Sequence, residues 1–328
     1  MKFAKLVATL LTVSLTAPIA SVSYAAPGNY PDKPIRMIVA YPPGGGTDTL
    51  ARLIGAELGR EIGQSIVIVN RGGASGSIGT MAAARAAPDG YTVLLATSNV
   101  TITPAVDAQA KFSVQNDFEP VTLLTESPFA LVANAAIETK TLKGLIAHTQ
   151  EKKQSINYAS TGVGSPQHLT TENLKKSKNL DWLHVPYQGG GPSLIALIEG
   201  QVQVMFSNVL PVLPYIQSGK LTALAQTTRE RLPVLPDTPT MKEAGIDDFV
   251  VSFWSGVLAP KGTPPDIIKK LDAALLKVMG TPTLRAKLTE QGTIVNPLSS
   301  QQFSAYIHND AAYWGKVAKS TSIKINHD

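Results

Sequence analysis

Four segments of this chain repeat one arrangement: an apolar, β-favouring run leads into a glycine-rich turn, and the turn into a helix-like stretch. Residues 35–41 lead into Pro43-Gly44-Gly45-Gly46-Thr47-Asp48, and 66–70 into Gly72-Gly73-Ala74-Ser75-Gly76-Ser77. Residues 156–160 lead into Thr161-Gly162-Val163-Gly164-Ser165, and 182–187 into Gln188-Gly189-Gly190-Gly191-Pro192-Ser193. Strand, turn and helix in alternation predict an α/β fold. A turn of this kind leaves backbone N–H groups unpaired at a helix N-terminus, where the positive dipole end favours an anion. One such turn reads equally well as a tight connection with a capped helix. Four of them, two from each half, favour one anionic ligand held between two lobes.

The strand-like runs are nearly continuous in apolar residues, which suits mainly parallel sheets covered by helices on both faces. Runs 35–41, 66–69 and 92–96 alternate with two helical patterns. The first starts at Thr47 or Asp48, carries Leu50, Leu53, Ile54, Leu58 and Ile62 on one side, and stops at Gly63. The second covers 78–87 and stops at Pro88-Asp89-Gly90. After Phe129 the pattern predicts strands at 130–133, 156–159, 183–187, 202–206, 221–226 and 250–258, with a short one near 293–295. It predicts helices at 142–150, 166–176, 193–199, 210–218, 264–279, 282–291 and 300–319. No linker-like spacer separates the halves, and the changeovers near 125–129 and 249–258 read as strands. Two crossings make the first lobe discontinuous, 26–126 with 252–328, around a second lobe of 127–251. Strand hinges of this kind permit closure over a ligand through small dihedral changes.

The first 25 residues read as a signal peptide. Lys2 and Lys5 precede an apolar run from Leu6 to Leu15 that is too short to span a bilayer, and Ser23-Tyr24-Ala25 fits a cleavage site. The expected location is therefore the periplasm, as a soluble exported chain. With no cysteine there is neither a disulfide framework nor a lipidated cysteine. The formal charge of +5 includes the two signal-peptide lysines, and the basic residues are scattered, which excludes a nucleic-acid footprint.

Catalytic patterns are missing. The five histidines are dispersed, so no zinc set forms, and the chain holds no G-x-S-x-G, no P-loop and no G-x-G-x-x-G. No cofactor and no metal are expected. Binding suits the residues better. Gly44, Gly45, Thr47 and Asp48 offer N–H and hydroxyl donors at a helix start, with Asp48 reading first as a cap. Arg71 follows a strand at once and reads as either a cleft cation or a surface arginine. His168, one turn into the helix after Ser165, reads as a carboxylate donor or a packed cap. Tyr41 and Tyr187 directly precede glycine-rich turns, and Phe253 and Trp254 sit at a crossing.

These residues resemble the tripartite tricarboxylate transporter substrate-binding proteins, also called Bug proteins. The resemblance rests on Tyr30-Pro31-Asp32-Lys33-Pro34-Ile35, Pro42-Pro43-Gly44-Gly45-Gly46-Thr47-Asp48, Val69-Asn70-Arg71 and Pro88-Asp89-Gly90-Tyr91-Thr92. It continues through Gly164-Ser165 with His168-Leu169, Val185-Pro186-Tyr187-Gln188-Gly189, Leu235-Pro236-Asp237-Thr238-Pro239-Thr240 and Ala259-Pro260-Lys261-Gly262-Thr263-Pro264. It implies a type II-like two-lobed periplasmic binding protein that closes on a small carboxylic acid and delivers it to the membrane components of such a transporter. It further implies a carboxylate gripped by Gly44, Gly45, Thr47 and Asp48 with Ser98 from the first lobe. Ser160, Thr161, Gly164, Ser165, His168 and Asn208 would serve from the second. The working unit is expected to be a monomer. Relatives often carry Asp just before the residue matching Asn208, whereas this chain has Ser207. That departure disfavours a ligand ammonium and leaves an aromatic or short dicarboxylic acid ahead of an amino acid. The alternatives are an exported α/β enzyme acting on an organic acid or ester, and a receptor that feeds a signalling sensor.

Overall fold

The computed structural model describes residues 30–44, 46–152, 156–290 and 293–325. The chain separates into Met1–Tyr30 and Pro31–Asp328, and the strands and helices named below, all among the described residues, belong to the second unit. The predicted signal segment and Gly45 lie outside the described residues.

The first part runs β1 (Ile35–Val39), α1 (Gly46–Ile62), β2 (Ile66–Asn70), α2 (Ser77–Ala84), β3 (Thr92–Thr97), α3 (Asn99–Val106) and α4 (Val114–Asp117). The middle continues with β4 (Phe118–Asn134), α5 (Leu142–Lys152), β5 (Ile156–Ser160), α6 (Pro166–Lys178), β6 (Trp182–Pro186), α7 (Gly190–Ile198), β7 (Val204–Asn208), α8 (Val209–Gln217) and β8 (Leu221–Gln226). The chain then follows β9 (Ser252–Pro260), α9 (Pro265–Met279), α10 (Pro282–Glu290) and α11 (Ser300–Thr321). The expected strand near 293–295 is reduced to one bridge, Ile294 against Glu126.

The strands follow the order β2-β1-β3-β9-β4-β7-β5-β6, with β8 also on β4. Both crossings are present. β4 is 17 residues long, pairs with β9 over its first two-thirds, and pairs with β7 and β8 beyond Phe129. The return passes through Thr227 and Val251, with Thr227 N–H donating to the Phe129 carbonyl and Val251 N–H to that of Thr227. The sheets are more mixed than expected. β1 is parallel to β2 and β3, and β5 to β6 and β7, but every pair made by β4 or β9 is antiparallel. β4 carries the chain out of the first half and β9 brings it back, so the two must run in opposite directions.

Each half has its own core. On the first sheet Leu94, Val100, Phe118, Trp254 and Phe303 pack together. On the second, Phe129, Leu131, Tyr158, Leu169 and Phe206 form a cluster that also contains Ile102 and Val106 of α3 and Trp314, Val317 and Ala318 of α11. Burying one large apolar side chain is worth about 1.5–3 kcal/mol. Trp314, Val317 and Ala318 therefore fasten the end of α11 to the second core, while Phe303 and Ile307 of the same helix lie on the first.

Candidate functional site

The first turn is built around Asp48. Gly44, at φ +87°, donates its N–H to Asp48 Oδ2 at 2.9 Å. Arg52 Nε donates to the same oxygen and Asn70 Nδ2 to Oδ1, both at 2.9 Å. Asn70 also donates to the Tyr41 carbonyl, so the carboxylate ties the turn to the ends of β1 and β2. The Arg52 hydrogen bond first, then those of Gly44 and Asn70, hold the Asp48 carboxyl down to about 2. Asp48 is 3% exposed and its oxygens are committed. It clamps the turn, and the Gly44 N–H that it accepts is not left for a ligand. Tyr41 shares a 2.8 Å hydrogen bond with Thr97 Oγ1, and burial pushes its phenol up to about 12, so the ring stays neutral.

The turn after β5 has the same plan with different chemistry. Gly164, at φ +74°, donates its N–H to His168 Nδ1 at 3.1 Å. That bond puts the remaining ring proton on Nε2 and makes the imidazole neutral. Burial lowers the His168 pKa to about 3, and also that of His184 to about 4, whose ring stacks on His168 at 3.8 Å and 11°. Ser165 caps α6 by accepting the His168 N–H, with Pro166 at the first helical position. Ser160 is fully buried; its Oγ lies 2.7 Å from His184 Nε2 and bonds both polar groups of the Gly162 backbone.

Two adjoining cavities lie between the halves. One, of about 380 Å³, reaches Tyr41, Asn99, Thr103, the 161–165 turn and Ile325. The other, of about 420 Å³, reaches Leu50, Thr125, Ser127, Gly190, Leu194 and Leu210. Thr47, Thr161, Gln167, Asn208 and Phe253 line both. Among the described lining residues none is charged. What such a cavity offers an anion is hydroxyl, amide and backbone N–H donors. Removing one donor to a charged group costs about 1.5–3 kcal/mol.

Of the residues expected from sequence, Tyr41, Thr47, Thr161, Gly164, Ser165 and Asn208 line the cavities. Gly44, Asp48, Arg71, Ser98, Ser160, His168 and Tyr187 do not line them. Gly44 and Asp48 bind each other, and Arg71 is exposed. Ser98 is fully buried, with a hydroxyl that has no partner. Ser160 and His168 support their turn from behind, and Tyr187 packs against the other core of the second half. Of the two sequence readings of His168, carboxylate donor or packed cap, the geometry favours the second, a neutral imidazole whose Nδ1 accepts from Gly164. Trp254 also turns into the core, its indole donating to Asp310, while its neighbour Phe253 faces both cavities. Strand alternation forces that choice, since adjacent side chains leave opposite faces. Asn99, Thr103, Gln167 and Ile325 were missed. Of these, Gln167 alone had a signal, lying on the first turn of a helix already read as facing the cleft.

Among the described residues no group of three His, Cys, Asp or Glu is placed to hold a metal, and no helix is long and apolar enough to cross a membrane.

A family model described as tripartite tricarboxylate transporter family receptor matches residues 50–323. The chain is similar to BugT of Bordetella pertussis, at 35% identity over 312 residues, 94% of this chain and 96% of that protein. It is similar to an R. palustris protein solved with adipate, at 32% identity and a TM-score of 0.79, over 90% of this chain and 99% of that one. It is also similar to MatC from Rhodopseudomonas palustris, solved with bound malate, at 33% identity and a TM-score of 0.73, over 88% and 99% of the two chains.

Proposed function

Because this chain belongs to the tripartite tricarboxylate transporter receptor family, we propose that it is an exported periplasmic receptor for a small carboxylic acid. In this reading it works as a monomer, carries no cofactor, catalyses nothing and binds no nucleic acid. It closes lobe 26–126 with 252–328 onto lobe 127–251 and hands its ligand to the membrane components of such a transporter. The observation that carries the reading is the uncharged, donor-rich cavity shared by Thr47 from the first half and Thr161, Gln167 and Asn208 from the second. A carboxylate there is held by neutral donors, as expected for anions at helix starts. The relatives solved with adipate and malate bind acids of this kind. Ser207 lines the second cavity and has no charge to offer an ammonium. The preferred ligand is therefore an acid without an amino group, aromatic or short and dicarboxylic. Tyr41 and Phe253 are the rings within its reach, where an offset or edge contact adds about 0.5–1.5 kcal/mol.

The enzyme alternative would draw on Ser160 and His184, which approach as a nucleophile and base would. Ser160 is fully buried and its hydroxyl is committed to the Gly162 backbone, so a substrate has no path to it.

A thermal-shift and calorimetric panel tests the reading. It would contain terephthalate, succinate, malate, adipate, aspartate and glutamate. A ligand at 100 times its Kd stabilises by about 2.7 kcal/mol. Saturable binding without turnover is the expected result. Tighter binding of aspartate or glutamate than of every unaminated acid overturns the ligand class, and turnover of any of them overturns the receptor assignment.

A further inference from the structure

Behind the cavity lies a buried carboxylate that the binding site does not use directly. Asp310, on α11, accepts from three elements' side chains. Thr101 Oγ1 of α3 donates to Oδ2 at 2.5 Å, and Trp254 Nε1 of β9 to the same oxygen at 2.9 Å. Trp314 Nε1, one turn along α11, donates to Oδ1 at 3.1 Å. Both partners outside α11 sit directly behind cavity residues. Thr101 lies between Asn99 and Thr103, which are four apart and share the cavity-facing side of α3. Trp254 lies between Phe253 and Ser255, which face the cavity from the other side of β9. The two elements are also stitched together directly, by Ser98 N–H donating to the Trp254 carbonyl at 3.1 Å.

We propose that Asp310 is a positioning residue for the ligand cavity, and that proton uptake by its carboxylate resets α3 and β9 and so changes the cavity that they line. The inference rests on the cavity being the ligand site.

The bond that would change is visible at Thr101. Its one hydroxyl proton has two acceptors within reach, Asp310 Oδ2 and, at 2.7 Å, the Ser98 carbonyl at the start of α3. With Asp310 ionised, the proton goes to the carboxylate. With Asp310 protonated on Oδ2, the carboxyl donates to Thr101 Oγ1 and the hydroxyl turns to Ser98. The Thr101 contact is kept with its direction reversed, and its far end moves to the helix start that presents Asn99, while the Trp254 N–H on β9 is left facing a protonated oxygen that accepts more weakly. Burial pushes the Asp310 carboxyl up to about 6, and the three donors oppose that rise. The titratable groups that face it are Glu126, from β4, and Tyr306 and Tyr313 on its own helix. Glu126 accepts from Tyr306 and Ser252 and adds to the upward push. α3 and β9 present only the uncharged Thr101 and Trp254 to it.

The test is read first in the unliganded, full-length protein by nitrogen-15 NMR between pH 8 and 5. The indole N–H signals of Trp254 and Trp314 should titrate with a midpoint near 6, with Trp182 as a silent control. The backbone amides of Asn99, Thr103 and Phe253 should follow the same midpoint. Asp310→Asn should abolish the shared titration. Should that variant fail to fold, Thr101→Val keeps both indole bonds. It should free Asn99 and Thr103 from the titration while Phe253 still follows it. Indoles that titrate while the cavity amides stay still would reduce Asp310 to a structural buttress and overturn the proposal. So would Asn99 and Thr103 following the midpoint unchanged in Thr101→Val. In a second arm, calorimetry with adipate and malate at pH 7.5 and 5 should give a ratio of dissociation constants at least threefold different between the parent and Asp310→Asn, the variant's ratio reading the acids' own protonation. Equal ratios would overturn the coupling. Failure of both acids to bind at any pH counts against the carboxylate reading alone, because the NMR arm needs no ligand.

Discussion

The turns after β1 and β5 solve one problem twice. In each, a glycine at positive φ donates its N–H to a side chain four residues further on, in the first turn of the following helix. The first uses a carboxylate, the second an imidazole. Asp48 is an anion whose charge is balanced by Arg52 and whose second oxygen reaches Asn70 on the neighbouring strand. His168 is neutral and sunk in the second core, stacked on His184, with Gly164 pressed against Ile325. The first turn is therefore held electrostatically at an open surface, and the second by packing and one neutral hydrogen bond. A ligand that touches both meets one edge of the cavity fixed by a charged network and one edge fixed by packing. The difference shows that a shared local geometry does not imply a shared origin of stability.

The largest effect should come from placing the same methyl group in both turns. At Gly164 an alanine Cβ would lie 2.8 Å from Ile325 Cδ1, in addition to the positive φ. Left-handed backbone costs about 1–2 kcal/mol and overpacking a further 1–3 kcal/mol or so. At Gly44 nothing lies within 4 Å, and only the backbone cost applies. Urea denaturation should thus rank Gly164→Ala well below Gly44→Ala. Equal losses would show that the second turn yields as readily as the first.

Acid should separate the turns next. The folded-state pKa values of His168 and His184 are about 3 and 4, below the ordinary 6.5, so the unfolded chain binds those protons more readily. Their stabilising contribution is complete above 6.5 and is lost as pH falls from there toward 4 and 3. Asp48, at about 2 against an ordinary 3.8, loses its contribution only below 3.8. Asp310 acts with the opposite sign: its raised pKa favours the fold as pH drops through 6 toward 3.8. His168→Gln should accordingly flatten the decline in denaturation midpoint between pH 6.5 and 4. An unchanged slope in that window would mean that His168 is not a titrating clamp.

The smallest effect belongs to the ion pair. Arg52 is half exposed, so Arg52→Ala should weaken the first turn slightly, and added salt should shrink the difference further. A loss rivalling that of Gly164→Ala, measured the same way, would undo the ranking.

Much of this was legible in the sequence, and the rest was hidden for identifiable reasons. The strands of both halves and their glycine-rich turns follow from apolar runs and glycine spacing. Thr47, Thr161, Gly164 and Ser165 lie in or beside those turns, whereas Asn208 was named only through the family resemblance. α3 was invisible because Val100, Thr101, Ile102 and Thr103 are β-branched and poor helix formers, and Pro104 lies within the helix. Asp48 and His168 each kept two readings, cap or ligand contact, because an acceptor for a loop N–H and a contact for a ligand require the same residue types at the same place. Only the fold decides which way the side chain turns. Asp310 could not be found at all, since its Thr101 partner is 209 positions away.

The seating of Trp314, Val317 and Ala318 in the second core also has a consequence for the order of folding. The second-half core that those residues join is otherwise complete in the chain by Val251, yet they are synthesised long afterwards, once β9, α9 and α10 have been made. The first half waits as well, for β9 and Phe303. Neither core can be finished on a growing chain that has not yet reached α11. Until then both cores lack the side chains that close them, and a chain with unclosed cores is more easily threaded through a narrow channel than a finished fold.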